Sequence, residues 1–202
     1  MPKNTIATDD GNARGGKRNP LRVASSGEAT FRGFFDAIAL GNGKYLASIM
    51  NTSTTHDVVI QSVRVRHANL DAVTGVITEM TLRRISAGTA ATAVTPLADD
   101  PETDTLPSGI TLDANLGTVS DVSGGIISRF HRTGEEGILA ADTLLLHGMT
   151  HQGSLVYERR DGCRGITLSG TTAANRGIAV KCETNTTAGD VNIEIEFTVE
   201  PT

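Results

Sequence analysis

The chain has 202 residues, a length that suits one domain, or one domain with an appendage. Its hydrophobic residues (38%) include few aromatics (3%) and no Trp, so Val, Ile, Leu and Ala must build the core, and 22 glycines with abundant Thr point to strands and tight turns. A net charge of −5 argues against a general nucleic-acid binder, and no run reaches the roughly 18 consecutive apolar residues of a membrane span.

Residues 1–29 stand apart. They carry Lys3, Arg14, Lys17, Arg18 and Arg22 against Asp9, Asp10 and Glu28, with almost no apolar pattern. Such a segment cannot offset its own chain entropy by burial. It reads as an extended basic arm (net +2) before an acidic body (net −7), and as a contact element for a partner. Its opening, MPKNTIATDDGNARGGKRNP, lacks the apolar core of a signal peptide, so synthesis in a cytoplasm is expected.

The body, 30–202, reads as successive strands. TFRGFFDAIAL (30–40) holds three of the five phenylalanines and starts the core, and KYLASIMN (44–51) follows. After a turn at 51–57 comes VVIQSVRVRHANL (58–70), with Val59, Val63 and Val65 on one face and Arg64 and Arg66 opposite. VTGVITEMTLRRIS (73–86) continues past a short connector, and TAATAVTPL (89–97) is a weaker apolar stretch. ADDPETDTLPSG (98–109) is an acidic loop. IISRFHR (126–132) is a short strand. At 133–149 a helix competes, because Thr133 and Glu136 have capping-box spacing. Two early glycines favour a loop and then a strand over 143–149 instead. LVYERR (155–160), ITLSG (166–170) and GIAVKCE (177–183) precede the last strand, DVNIEIEFTVEPT (190–202). There Val191, Ile193, Ile195, Phe197 and Val199 alternate with Asn192, Glu194, Glu196, Thr198 and Glu200, giving one dry and one acidic face. Nine or ten short strands without a strand–helix rhythm predict an all-β, antiparallel sandwich, jelly-roll-like, as a single domain behind the arm.

Candidate chemistry is sparse. His147 and His151 have helical metal-ligand spacing, but Gly148 breaks the helix and no third ligand is evident. His131 is a possible pH-sensitive contact beside Glu135 and Glu136. Cys163 has Arg164 beside it but no His to serve as base. GNARGG (11–16) lacks the strand and helix of a phosphate cradle. The acidic loop offers oxygen ligands without EF-hand spacing. Asn51 and Asn185 head glycosylation triplets. Placing 163–168 and 177–183 on neighbouring strands puts Cys182 on the core side and Cys163 outside, which predicts two free thiols. Arg64, Arg66, Arg83 and Arg84 lie on successive segments and suggest a basic stripe on one sheet face. No cofactor, metal site or catalytic set is expected.

At 164–199, RGITLSGTTAANRGIAVKCETNTTAGDVNIEIEFTVE resembles the C-terminal part of small structural proteins of tailed bacteriophages. An "I-x-L" strand runs into a turn, then "G-I-A-V-K", then a Thr- and Gly-rich turn and a closing strand ending "F-T". FRGFFDAIA (31–39) and KYLASIMN are similar to the N-terminal half of that group. The resemblance implies a capsid decoration or cement protein on the capsid exterior, often a homotrimer, with the major capsid protein as partner. It implies no nucleic acid, membrane or cofactor. Its contact residues would be Lys3, Arg14, Lys17, Arg18, Arg22, Arg64, Arg66, Arg83 and Arg84. A receptor- or glycan-binding head-fibre or tail-associated module is the alternative. A small hydrolase ranks behind both, because no triad or acid pair with a workable spacing is visible.

Overall fold

A computed structural model describes residues 29–67, 76–90, 92–134, 154–184 and 189–202. Two antiparallel sheets pack face to face. The first, sheet A, contains β1 (Ala29–Ala39), β3 (His56–His67), β6 (Leu97–Ala98), β9 (Ser154–Glu158), β10 (Ile166–Ser169) and β12 (Asp190–Pro201). Its order is β6-β1-β12-β3, and β9 and β10 share the far edge of β3. The second, sheet B, contains β2 (Tyr45–Asn51), β4 (Val76–Gly88), β5 (Thr92–Val94), β7 (Ile110–Leu116), β8 (Val119–Gly134) and β11 (Gly177–Cys182). Its order is β5-β7-β2-β11-β4-β8.

Setting aside β5–β7, the two sheets read β1-β12-β3-β9/β10 and β2-β11-β4-β8. This is the strand order of a jelly roll, in which the chain passes from sheet to sheet at nearly every connection. The segment β5–β7 extends both sheets on the side of β1 and β2. All but Ala29 of the basic arm 1–29, and all but Thr133 and Gly134 of the stretch 133–149 where a helix competed, lie outside the described residues.

The sheets bury their facing sides. Val191, Ile193, Ile195, Phe197 and Val199 of β12 are all buried, as the alternation requires. They meet Ile49, Leu82, Ile178 and Val180 from sheet B in one continuous cluster. Phe31 stacks on Phe197 with centroids 5.5 Å apart. Gly33 faces inward between Phe31 and Phe35, and a methyl there would collide with Leu112 of the opposite sheet, so the sheets approach closely at this point.

Several expectations are corrected. Val59 does not share a face with Val63 and Val65. A bulge at Gln61 shifts the phase, so Val58, Ile60, Val63 and Val65 face the core. Gln61 then caps the outer side, its amide donating to Thr198 Oγ1 at 3.0 Å, and Thr198 is buried despite lying on the polar face. β10 and β11 are not neighbours but belong to opposite sheets. The thiols are nevertheless free, Cys163 exposed and Cys182 buried. β7 and the first half of β8 are strands in a stretch, 110–125, to which no element had been assigned, and the weak stretch 89–97 splits into β5 and β6.

Candidate functional site

The outward face of sheet A is polar in its middle and apolar at its margins. Pairing register sets each row. Leu97, Arg32, Glu196, Ser62 and Glu158 lie side by side from β6 to β9. The next outward row is Phe34, Glu194, Arg64 and Leu155. Arg32 reaches Asp99 at 3.3 Å and Glu196 at 3.9 Å, while Arg64 and Arg66 share Glu194 at 3.5 and 3.9 Å. Phe34 (43% exposed), Leu97 (62%) and Leu155 (45%) flank this ladder. The Arg32–Asp99 pair is exposed on both sides, a kind that contributes about 0–1 kcal/mol, whereas Glu194 and Glu196 are mostly covered.

The outward face of sheet B is built differently. β4 and β8 carry repeated bulges between Leu82 and Ala87, and the ribbon bends. Its end folds across β11 and β2 to reach β7, since a methyl on Gly88 would lie 3.2 Å from the Leu116 side chain. Thr89 and Gly117 bond there, Gly117 N–H donating to Thr89 O at 2.9 Å. Beneath this flap lies a second small core of Met50, Ile85, Leu116 and Ala179, with Tyr45 and Val119 against it.

A polar latch fastens the flap. Tyr45 Oη donates to Asp121 Oδ1 at 2.8 Å, and Asp121 is also bound by Arg83. Arg83 Nη2 lies 3.0 Å from Glu183 Oε1, which also accepts from Thr81 Oγ1 at 2.7 Å. Lys181 Nζ is 3.4 Å from the other Glu183 oxygen and 5.2 Å from the Tyr45 ring centroid. Burial, then the Asp121 hydrogen bond and charge, push the Tyr45 phenol up to about 12, although Arg83 opposes them. Burial disfavours the charge on Glu183, but Thr81, Lys181 and Arg83 outweigh it and hold the carboxyl below its usual range. Arg83 loses solvation, which Asp121, Tyr45 and Glu183 more than offset. A charge-balanced set with every carboxylate engaged suits fastening rather than proton transfer.

The sequence-predicted residues do not form one stripe. β3 and β4 lie in different sheets, so Arg64 and Arg66 face out from sheet A, while Arg83 faces out from sheet B. Arg84 pairs with Ile178 and points the other way, between the sheets, where Nη1 donates to Thr167 O at 3.4 Å. Burial lowers its pKa. Lys3, Arg14, Lys17, Arg18 and Arg22 lie outside the described residues, as do His147, His151, Glu135, Glu136 and Asn185. Asn51 is fully buried, with its amide committed to backbone, which removes it as a glycosylation acceptor.

Among the described residues no three His, Cys, Asp or Glu side chains converge as metal ligands. The acidic loop folds on itself: Asp100 Oδ1 accepts from Glu102 N at 3.2 Å and Asp100 O from Asp104 N at 2.9 Å. No described helix is long and apolar enough to cross a membrane. The chain matches no family model, no curated protein and no solved structure.

The sequence reading missed Phe34, Leu97, Leu155, Tyr45 and Asp121. The signal for Phe34 was present: in FRGFF, Phe31, Gly33 and Phe35 share a face, which leaves Phe34 beside Arg32 on the other. Both tyrosines are tied down, Tyr45 by Asp121 and Tyr157 by accepting the Ile166 N–H at 2.9 Å.

Proposed function

We propose that the protein is a non-enzymatic virion structural protein that binds and stabilises a phage capsid shell, as a decoration or cement protein on the capsid exterior. The major capsid protein is its partner, the arm and the outward face of sheet A are its contact elements, and it works as a homo-oligomer, a trimer in the group it resembles. The observation that carries this reading is the outward face of sheet A, where Phe34, Leu97 and Leu155 stand exposed around a ladder of ion pairs. Protein contact surfaces combine apolar anchors with satisfied polar groups in this way. A basic arm adds further weak contacts whose effects multiply when several subunits are engaged together.

The test is sedimentation of the full-length chain with undecorated capsids of the phage whose genome encodes it. The double variant Phe34→Ser, Leu155→Ser should bind about tenfold or more weakly, since truncating an anchoring side chain costs about 2 kcal/mol or more. Saturable binding that this variant leaves unchanged, or no binding by the parent chain, sinks the reading.

A further inference from the structure

The two edges of sheet A carry opposite charge at the same height. The acidic loop leaves β6 and begins beside β1, where Asp99 N–H donates to Thr30 O at 2.9 Å. It carries Asp99, Asp100, Glu102 and Asp104. The connection from β9 to β10 leaves the opposite edge, where Arg159 N–H donates to Gln61 O at 2.8 Å. It carries Arg159, Arg160 and Arg164 against Asp161, with exposed Glu158 ending β9 just before it, which leaves this edge basic by one charge.

Register places these loops at the two ends of one row. Leu97 beside Arg32, Arg32 beside Glu196, Glu196 beside Ser62 and Ser62 beside Glu158 run straight across the sheet. Four strand spacings of about 4.8 Å separate the ends, roughly 19 Å. The charges are available. Asp100 and Glu102 are exposed, as are Arg160 and Arg164, and none of these four makes an ion pair among the described residues.

We infer that the two edges of sheet A bind each other between copies of this chain, the acidic loop 99–104 of one copy against the basic loop 159–164 of the next. The contact is head-to-tail. Unlike patches on opposite edges of one sheet meet head-to-tail when copies lie side by side, and such copies close into a ring when the rotation allows. Opposite charge steers the approach and fixes the register. Like edges repel, which disfavours back-to-back pairing.

This rests on the self-association part of the function proposed above and not on capsid binding, so it is tested without capsids. The mass of the full-length chain is followed by sedimentation velocity against concentration. Measurements at about 0.1 M and about 1 M salt shrink the Debye length from about 10 to about 3 Å. The parent chain should associate at low salt and weaken at high salt. Arg160→Glu with Arg164→Glu, and separately Asp100→Lys with Glu102→Lys, should each weaken association about tenfold or more. The chain carrying all four changes should recover it, and an equal mixture of the two double variants should co-assemble. Recovery in the fourfold variant also shows that the substituted loops still fold. A parent chain that stays monomeric, a mass that neither double variant changes, or losses that the fourfold variant does not repair overturns the inference.

Discussion

The phenol of Tyr45 on β2 and the carboxylate of Asp121 on β8 meet at 2.8 Å, although β2 and β8 are separated in sheet B by β11 and β4. The bond is possible only because the β4–β8 ribbon bends over the sheet. It therefore reports on the flap and on nothing else in the sandwich. Tyr45→Phe keeps the ring against Leu116 and Lys181 and removes this one bond. The expected loss is about 1 kcal/mol, the net worth of an ordinary hydrogen bond, or about 2–4 °C in Tm for a chain of this size. Hydrogen exchange should accelerate at 85–90 and 117–121 and stay unchanged in β12. Uniform acceleration across both sheets would show that the flap is not a separate unit.

Replacing Arg83 with Met should cost more than losing Tyr45, because it leaves Asp121 and Glu183 without their shared cation. Hydrogen bonds to charged groups are worth about 1.5–3 kcal/mol, and a loss in that range is expected in urea unfolding. An Asp121→Asn, Arg83→Met double variant should lose less than the sum of its single changes, because the two residues interact directly.

The latch also has a pH signature. The Tyr45 phenol is raised in the folded chain, so its contribution is fully present below the unfolded value near 10. It is lost as pH rises from there through about 12. The Glu183 carboxyl is lowered, so its contribution is present above the unfolded value near 4.5 and fades as pH falls below it. Thermal melts across both windows should show Tyr45→Phe flattening only the alkaline limb and Glu183→Gln only the acid limb. Identical limbs in parent and variants would remove the latch from the account.

Much of the sandwich was legible because period-two alternation is strong in its central strands. DVNIEIEFTVE could bury only one face, and it became the centre of sheet A. What alternation cannot carry is which strand neighbours which. GIAVKC and ITLS were expected side by side, yet a jelly roll sends them to opposite sheets, and the same rule parts Arg64 and Arg66 from Arg83 and Arg84, while strand alternation turns Arg84 away from Arg83. Bulges hid the rest. One extra residue at Gln61 moved Val59 to the outer face, and the residues opposite Arg84 in β8 folded the ribbon over Tyr45. ITLDANL was assigned to no element, and Asp113 and Asn115 do interrupt its apolar residues. In the structure Asp113 is buried, and Ser48 Oγ donates to its carbonyl at 3.1 Å.

Asn51 ends β2 and holds three segments together. Its amide donates to His56 O and Leu168 O, both at 2.9 Å, and its Oδ1 accepts from Ser53 N–H at 2.9 Å. Asn51→Ala strands those groups around a fully buried site. Each orphaned group costs about 1–3 kcal/mol, and a total near 3 kcal/mol is expected, or about 6–12 °C in Tm. Asn51→Asp should be nearly as damaging, since it keeps the acceptor and loses both donations. A loss below about 1 kcal/mol would mean that water replaces the amide.

The two thiols should differ sharply in access. Cys163 is exposed in the β9–β10 connection, and Cys182 is fully buried at the end of β11. A thiol reagent should modify one cysteine in the native chain and the second only on unfolding, with Cys163→Ser abolishing the native reaction. Rapid labelling of both in the native state would place β11 outside the stable core.

Gly33 and Gly170 both face neighbours at close range, and they should respond unequally. A methyl on Gly33 meets Leu112, whose side chain can shift at the cost of overpacking, about 1–3 kcal/mol. A methyl on Gly170, just beyond β10, overlaps the carbonyl of Ser53 and the backbone of Thr52. That turn is anchored by the Asn51 bonds and by Thr52 N–H donating to Gly109 O at 2.7 Å, so it cannot yield without releasing them. Gly170→Ala should therefore destabilise more than Gly33→Ala, although Gly33 lies deeper between the sheets. Urea unfolding of the two variants decides the order. If Gly33→Ala proves the costlier, the tight point of the fold is the sheet-to-sheet contact and not the turn.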